Sequence, residues 1–211
     1  MTRNDKPIRT FIAIPLPLNI KDTLNDLCLK LAPEKIKGIS KVSKDTYHLT
    51  LKFIGDIDIG RITEIKDFLY EITLSYPPVS LKMKGFKLFP SDRRVRAVTT
   101  ELEDLTEKEG SSSITRLFKE IDRTLSELNI CEREKRSYVP HLTLFRIKDS
   151  KARASFLKDI ELFVEAEDKY YSKFLETTFT SEDIVLYQST LSSKGAIHTA
   201  LASFKLKGEN N

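Results

Sequence analysis

The chain has little of what usually marks a cofactor-dependent or covalent enzyme. Its two cysteines, Cys28 and Cys131, stand far apart without a C-x-x-C pair, so neither a disulfide framework nor a thiolate zinc site is indicated. None of its 7 glycines builds a Gly-rich phosphate loop, which argues against a doubly wound nucleotide fold. No apolar run approaches the ~20 residues of a membrane span or resembles a signal-peptide core. A reducing cytoplasm is therefore the expected compartment, and the polar stretch from Met1 to Ile8 reads as a short leader before the first strand. Neither sign of charge dominates: 35 basic residues against 31 acidic give +4. Such a surface tolerates a polyanion without identifying one.

Histidine is also scarce, and its placement is the main feature of the chain. Two of the three histidines head the same phrase, His48-Leu-Thr-Leu51 and His141-Leu-Thr-Leu144. Extended outward, Tyr47 to Ile54 matches Pro140 to Ile147 at five of eight positions, with a spacing of 141 − 48 = 93 residues. This is the mark of an internal duplication. Each copy alternates like a strand, which sends His and Thr to one face and both leucines to the other.

Around the two copies the pattern is mixed. Arg9 to Ile14 reads as a buried strand stopped by Pro15 and Pro17. Asn19 is a candidate cap for a helix whose stripe is Ile20, Leu24, Leu27, Cys28 and Leu31, ending at Pro33. Ile62, Ile65, Phe68, Leu69 and Ile72 mark a second helix. Strands are expected around Val79–Met83 and Val95–Leu102, with Arg93 and Arg94 in the turn between them. The acidic, serine-rich stretch from Glu103 to Ser113 reads as a loop that caps a third helix, with Ile114, Leu117, Phe118, Ile121, Leu125 and Leu128 as its stripe. A basic loop, Arg133–Tyr138, precedes the second phrase. A shorter helix near Ser150–Ile160 follows, and Phe174–Thr180, Ile184–Gln188 and His198–Leu206 read as strands with Gly195 in a turn. Polar-alternating strands with helices between them favour an α+β fold of antiparallel sheets, with no linker that separates independent domains.

Histidine's ordinary pKa of ~6.5 lets it give or take a proton near neutrality, so two imidazoles facing one substrate form an acid/base pair. In-line displacement at phosphorus needs such a pair on opposite sides of the phosphate. The hydroxyls of Thr50 and Thr143, on the same faces, can donate to the non-bridging oxygens as charge gathers there. The sequence offers no H-x-x-x-H, Cys cluster or acidic partner at metal-ligand spacing, so no metal and no cofactor is expected.

With these residues the chain resembles the 2H phosphoesterase superfamily, and within it the RNA 2′,3′-cyclic phosphodiesterases once called 2′-5′ RNA ligases. The likeness rests on Arg9–Ile14, His48–Gly55, Arg136–Arg146 and Leu186–Leu191 with Gly195-Ala196, in that order, and spans nearly the whole chain. It implies one bilobal domain over residues 1–211: two pseudo-symmetric lobes of antiparallel sheet, helices on the outer faces, and a central cleft carrying the two H-x-T-x strands. It implies a substrate as well, RNA ending in a 2′,3′-cyclic phosphate, such as tRNA fragments, opened by a monomer to a 2′-phosphate. The 3′ oxygen then departs, which makes His48 the proton donor and His141 the acceptor, though the pseudo-twofold leaves these roles exchangeable.

The resemblance also offers Arg146 as a phosphate contact, but strict alternation sends it to the face opposite His141, so a bulge or twist must redirect it. Phe11 and Tyr138, with Lys52 and Phe145, are candidates to stack on a base or line the cleft, the alternative being plain core. Lys41 stands where many relatives carry Trp. His198 stands where Tyr is usual, and is expected to be structural. Ligation by the reverse transesterification, cleavage of a small cyclic nucleotide, and RNA binding without catalysis remain open at this point.

Overall fold

Two antiparallel sheets form the frame, each containing one copy of the repeated phrase. The structure, a computed structural model, describes residues 6–91, 94–106, 113–166, 168–192 and 195–208. In the first sheet β3 (His48–Ile57) lies at the edge, followed by β1 (Ile8–Pro15), β8 (Asp183–Ser192) and β9 (Gly195–Lys205). In the second, β2 (Ile39–Lys41) covers β6 (His141–Ile147), and β5 (Ala97–Asp104), β4 (Val79–Phe89) and β7 (Thr178–Ser181) continue the order. Laying β3 on β6 brings β1 onto β5, β8 onto β4 and β9 onto β7. Only β2 has no counterpart.

Among the described residues five α-helices cover the faces that the leucines of the phrases bury. Helices α2 (Ile62–Ser75) and α3 (Ser113–Glu127) pack on the first sheet. Helices α4 (Ser150–Glu165) and α5 (Lys169–Leu175) serve the second, with α1 (Leu18–Leu31) against both of them. The predicted stripes are buried as Ile20, Leu24, Leu27, Cys28 and Leu31 on α1, and Ile114, Leu117, Phe118, Ile121 and Leu125 on α3, while Leu128 lies just past the end of α3 and is half-buried. Buried residues of both sheets join in one cluster, and no described helix is long and apolar enough to cross a membrane.

Several local expectations are corrected. Asn19 is inside α1, not before it: Pro17 is the cap, and its carbonyl accepts from both Ile20 N and Lys21 N at 3.1 Å. Proline's fixed φ suits the entry and leaves no role for an Asn side chain. Helix α4 runs on to Glu165, and a second Asp cap starts α5, where Asp168 accepts from Tyr170 N at 2.7 Å. Phe174 therefore belongs to a helix, where it stacks with Tyr171 and with Phe86 of β4. Tertiary packing outweighed its strand preference. The turn arginine Arg93, the serines just before α3 and the leader residues 1–5 lie outside the described residues.

Strand β2 was not expected, because three residues carry too little periodicity to register. Gly38 makes it possible: its φ of +85° turns the chain, and a Cβ there would collide with Asp149.

Candidate active site

The two motif strands share an irregularity that alternation alone does not reveal. On β3, Thr50 lies opposite Ala13 and Lys52 opposite Ile12, which leaves Leu51 as an extra residue. On β6, Thr143 lies opposite Thr99 and Phe145 opposite Val98, which leaves Leu144 extra. Each copy therefore bulges at its second leucine. The bulge places two successive residues on the buried side, Leu51-Lys52 and Leu144-Phe145, and flips the parity of the residues beyond them. Arg146 is thereby returned to the face of His141 and Thr143, and Phe53 to the face of His48 and Thr50.

The imidazoles are held alike. His48 Nδ1 lies 2.7 Å from the carbonyl of Thr46, and His141 Nδ1 lies 2.8 Å from that of Val139. A carbonyl can only accept, so each Nδ1 carries the hydrogen and each Nε2 is left for other partners. Among the described residues neither Thr50 nor Thr143 spends its hydroxyl on a hydrogen bond, and Arg146 meets no carboxylate. The positive charge of Arg146, from the second sheet, acts on His48 in the first. Strands β3 and β6 are also in direct contact, which places the two phrases side by side at one cleft.

Their surroundings differ. His48 sits in a ring cluster with Phe11 at 4.8 Å, His198 edge-on at 5.2 Å and Tyr187 at 6.3 Å between centroids. Loss of water there pushes its pKa down to about 4; the Thr46 carbonyl opposes this, and the charges of His198, Arg146 and Lys21 add to it. His141 stacks on Phe89 at 5.2 Å, with the planes 16° apart. Glu101, ion-paired to Lys87, lies directly across the strands from it, where His48 has Pro15.

Residues 14–99 match the LigT like Phosphoesterase family. An RNA 2′,3′-cyclic phosphodiesterase of Methanocaldococcus jannaschii is 33% identical over 92% of this chain and 98% of its own. One from Aquifex aeolicus is 30% identical over 88% and 93%. The chain belongs to the LigT-like phosphoesterases of the 2H superfamily. A Thermus thermophilus protein, TT0787, shares the fold with a TM-score of 0.73 at 22% identity, covering 96% of this chain and 100% of its own. Escherichia coli LigT, crystallised with 3′-AMP, shares it at a TM-score of 0.68 and 18% identity, covering 95% and 98%.

In this phosphoesterase the remaining predicted site residues divide. Arg146 is exposed on the cleft face, to which the bulge redirects it. Phe11 is only 2% exposed; it forms the floor beneath His48 and offers no free ring face to a ligand. Tyr138 does not line the cleft either: its ring stacks on Phe118 at 4.3 Å and its hydroxyl donates to the Thr50 carbonyl at 3.1 Å. Lys52 and Phe145 both point away from the cleft, into the buried layer. The basic loop is partly self-neutralised, since Arg136 clamps Glu134 through two nitrogens and holds that carboxyl at about 2.

One residue was missed. Phe53, 64% exposed, presents its ring on the cleft face; only the bulge, which no simple period reports, places it there. His198, expected to be structural, packs its ring against His48 and Phe11.

Proposed function

We propose that the protein opens the 2′,3′-cyclic phosphate at the end of an RNA by a metal-independent two-histidine mechanism, leaving a 2′-phosphomonoester. The observation that carries the reading is the matched pair of imidazoles, each fixed through Nδ1 with Nε2 available, in a cleft that also holds Arg146. Relatives named RNA 2′,3′-cyclic phosphodiesterase at up to 33% identity support the substrate class.

His141 acts as the base that takes the proton from water, and His48 as the acid that protonates the departing 3′ oxygen. Thr50, Thr143 and Arg146 bind the non-bridging oxygens and gain strength as charge develops. The depressed pKa of His48 fits this only with substrate in place. Burial is the main cause of the low value and the neighbouring positive charges add to it; those charges attract the phosphate anion, whose own charge opposes both effects and raises the His48 pKa. Protonation of the acid is thus coupled to occupancy. The exposed ring of Phe53 supplies a stacking surface for a base, which any nucleobase can use.

The test is turnover of an oligonucleotide ending in a 2′,3′-cyclic phosphate, in EDTA, with the product identified by phosphorus NMR. A 2′-phosphate is expected. A predominant 3′-phosphate would reverse the two histidine roles, and loss of turnover in EDTA would remove the metal-free mechanism. Preference for a mononucleotide would point to a small-molecule substrate, and joining to an added 5′-hydroxyl end would point to ligation.

A further inference from the structure

Positions 52 and 145 are the same place in the two copies, just past the bulge and turned inward, yet they are filled differently. Phe145 meets Phe156 of α4 edge-on, with centroids 4.9 Å apart, so burial at this place needs no charge. Lys52 is paired with Asp122 of α3, the two side chains 8% and 6% exposed. Lys52 Nζ also donates to the Glu132 carbonyl at 2.8 Å, and Asp122 Oδ1 also accepts from Glu134 N at 2.9 Å. Farther along the same segment, the Tyr138 hydroxyl reaches the Thr50 carbonyl. Residues 132–138 are therefore tied to the first motif strand at two points. The next carbonyl, that of Val139, holds Nδ1 of His141.

A buried ion pair contributes little net stability compared with apolar side chains of similar size, although breaking one partner is costly. The Phe145–Phe156 contact shows that an apolar pair satisfies the equivalent position. Two phenyl rings could not, however, hold the backbone N–H and C=O groups of a loop.

We infer that Lys52, Asp122 and Tyr138 are positioning residues that fix the loop carrying the His141 anchor to the strand carrying His48 and Thr50, and so set the separation of acid and base. This rests on the two-histidine reading above. The link runs on the buried side of the first sheet and joins its motif strand to the segment that leads into the second, and a displacement of ~1 Å at a reacting group can cost ~10²-fold in rate.

The experiment compares Lys52→Met, Lys52→Met/Asp122→Leu and Tyr138→Phe with the wild type and His48→Ala. It measures urea midpoint, kcat and KM on a 2′,3′-cyclic phosphate substrate, and amide exchange over 132–141. Lys52→Met alone should destabilise, because the buried Asp122 loses its buried partner and keeps only the exposed Arg133 at 3.7 Å and the Glu134 amide. The double variant should recover most of that stability while kcat stays about 10- to 100-fold below wild type, KM moves by no more than about threefold, and the loop amides exchange faster. Tyr138→Phe loses one hydrogen bond, folds, and should lower kcat by about three- to tenfold. Recovery of kcat together with stability in the double variant would reduce the pair to packing and overturn the inference. Should that variant not fold, wild-type kcat and exchange in Tyr138→Phe would overturn it equally. An inactive wild type, or an active His48→Ala, would strike the two-histidine reading instead, while loop exchange would still report on the tie.

Discussion

The two halves of the site share a backbone and differ in what surrounds it. From His to the residue past the bulge, β3 and β6 alternate, bulge and anchor their imidazoles identically. Around that frame, His48 is enclosed by three rings beside Pro15, whereas His141 stacks on one ring across from Glu101. Under the proposed mechanism symmetry supplies two equivalent imidazoles, and their unlike surroundings are what would suit one to act as acid and the other as base.

The comparison is tested most severely by deleting each carrier. His48→Ala and His141→Ala should each lower turnover by about 10² or more, the usual scale for a general acid or base, with the fold retained by circular dichroism. Near-wild-type turnover in either would end the pairing.

The residues after the two bulges should separate next. Arg146→Ala should reduce kcat/KM by about 10-fold or more through the lost charge-assisted contacts to phosphate. Phe53→Ala should instead raise KM for oligonucleotides, with kcat little changed, by about 1 kcal/mol or more of lost stacking. If both variants failed in the same kinetic parameter, the two positions would not have diverged in role.

The threonines should be more alike. Thr50→Val and Thr143→Val each remove one donor to developing charge, so kcat should fall more than KM rises. A change confined to KM would make them ground-state binders.

The smallest expected effect concerns His48 alone. Its ring, followed by proton NMR, should titrate near 4 in the free protein. Removing the Arg146 charge or adding inorganic phosphate should each raise that value, since one deletes a positive charge and the other supplies a negative one. Activity should be bell-shaped in pH, with the His48 limb moving upward in Arg146→Ala. A His48 value unmoved by both treatments would place Arg146 and the phosphate away from it.

Much of this was legible beforehand, because the motif is repeated and its surroundings keep strong periods. The stripe of α1 was buried residue for residue and that of α3 up to Leu125, since a helical face is a local property of spacing; Leu128 falls just past the end of α3. Arg146 was readable only as a conflict between role and parity, which the bulge at Leu144 resolves. Tyr138 and Phe11 were assigned to substrate because aromatic residues beside a motif carry no mark of direction. In the fold one braces Thr50 and the other lies beneath His48. The Lys52–Asp122 pair spans 70 residues and three elements, a distance over which no local pattern operates.

The bulge also bears on how a duplicated gene can acquire two jobs. Because each copy shifts parity after its fourth residue, the tetrad stays under one constraint while the two following letters come under separate ones, one inward and one toward the cleft. The inward letter is lysine in one copy and phenylalanine in the other, while both imidazoles keep the same Nδ1 anchor. The outward letter could become an aromatic surface in one copy and a cation in the other. A one-residue deletion at either second leucine would merge these tracks and exchange the inward and outward residues at a stroke. Lineages descending from such an ancestor are thus free to edit those letters and confined in the length of the strand that carries them.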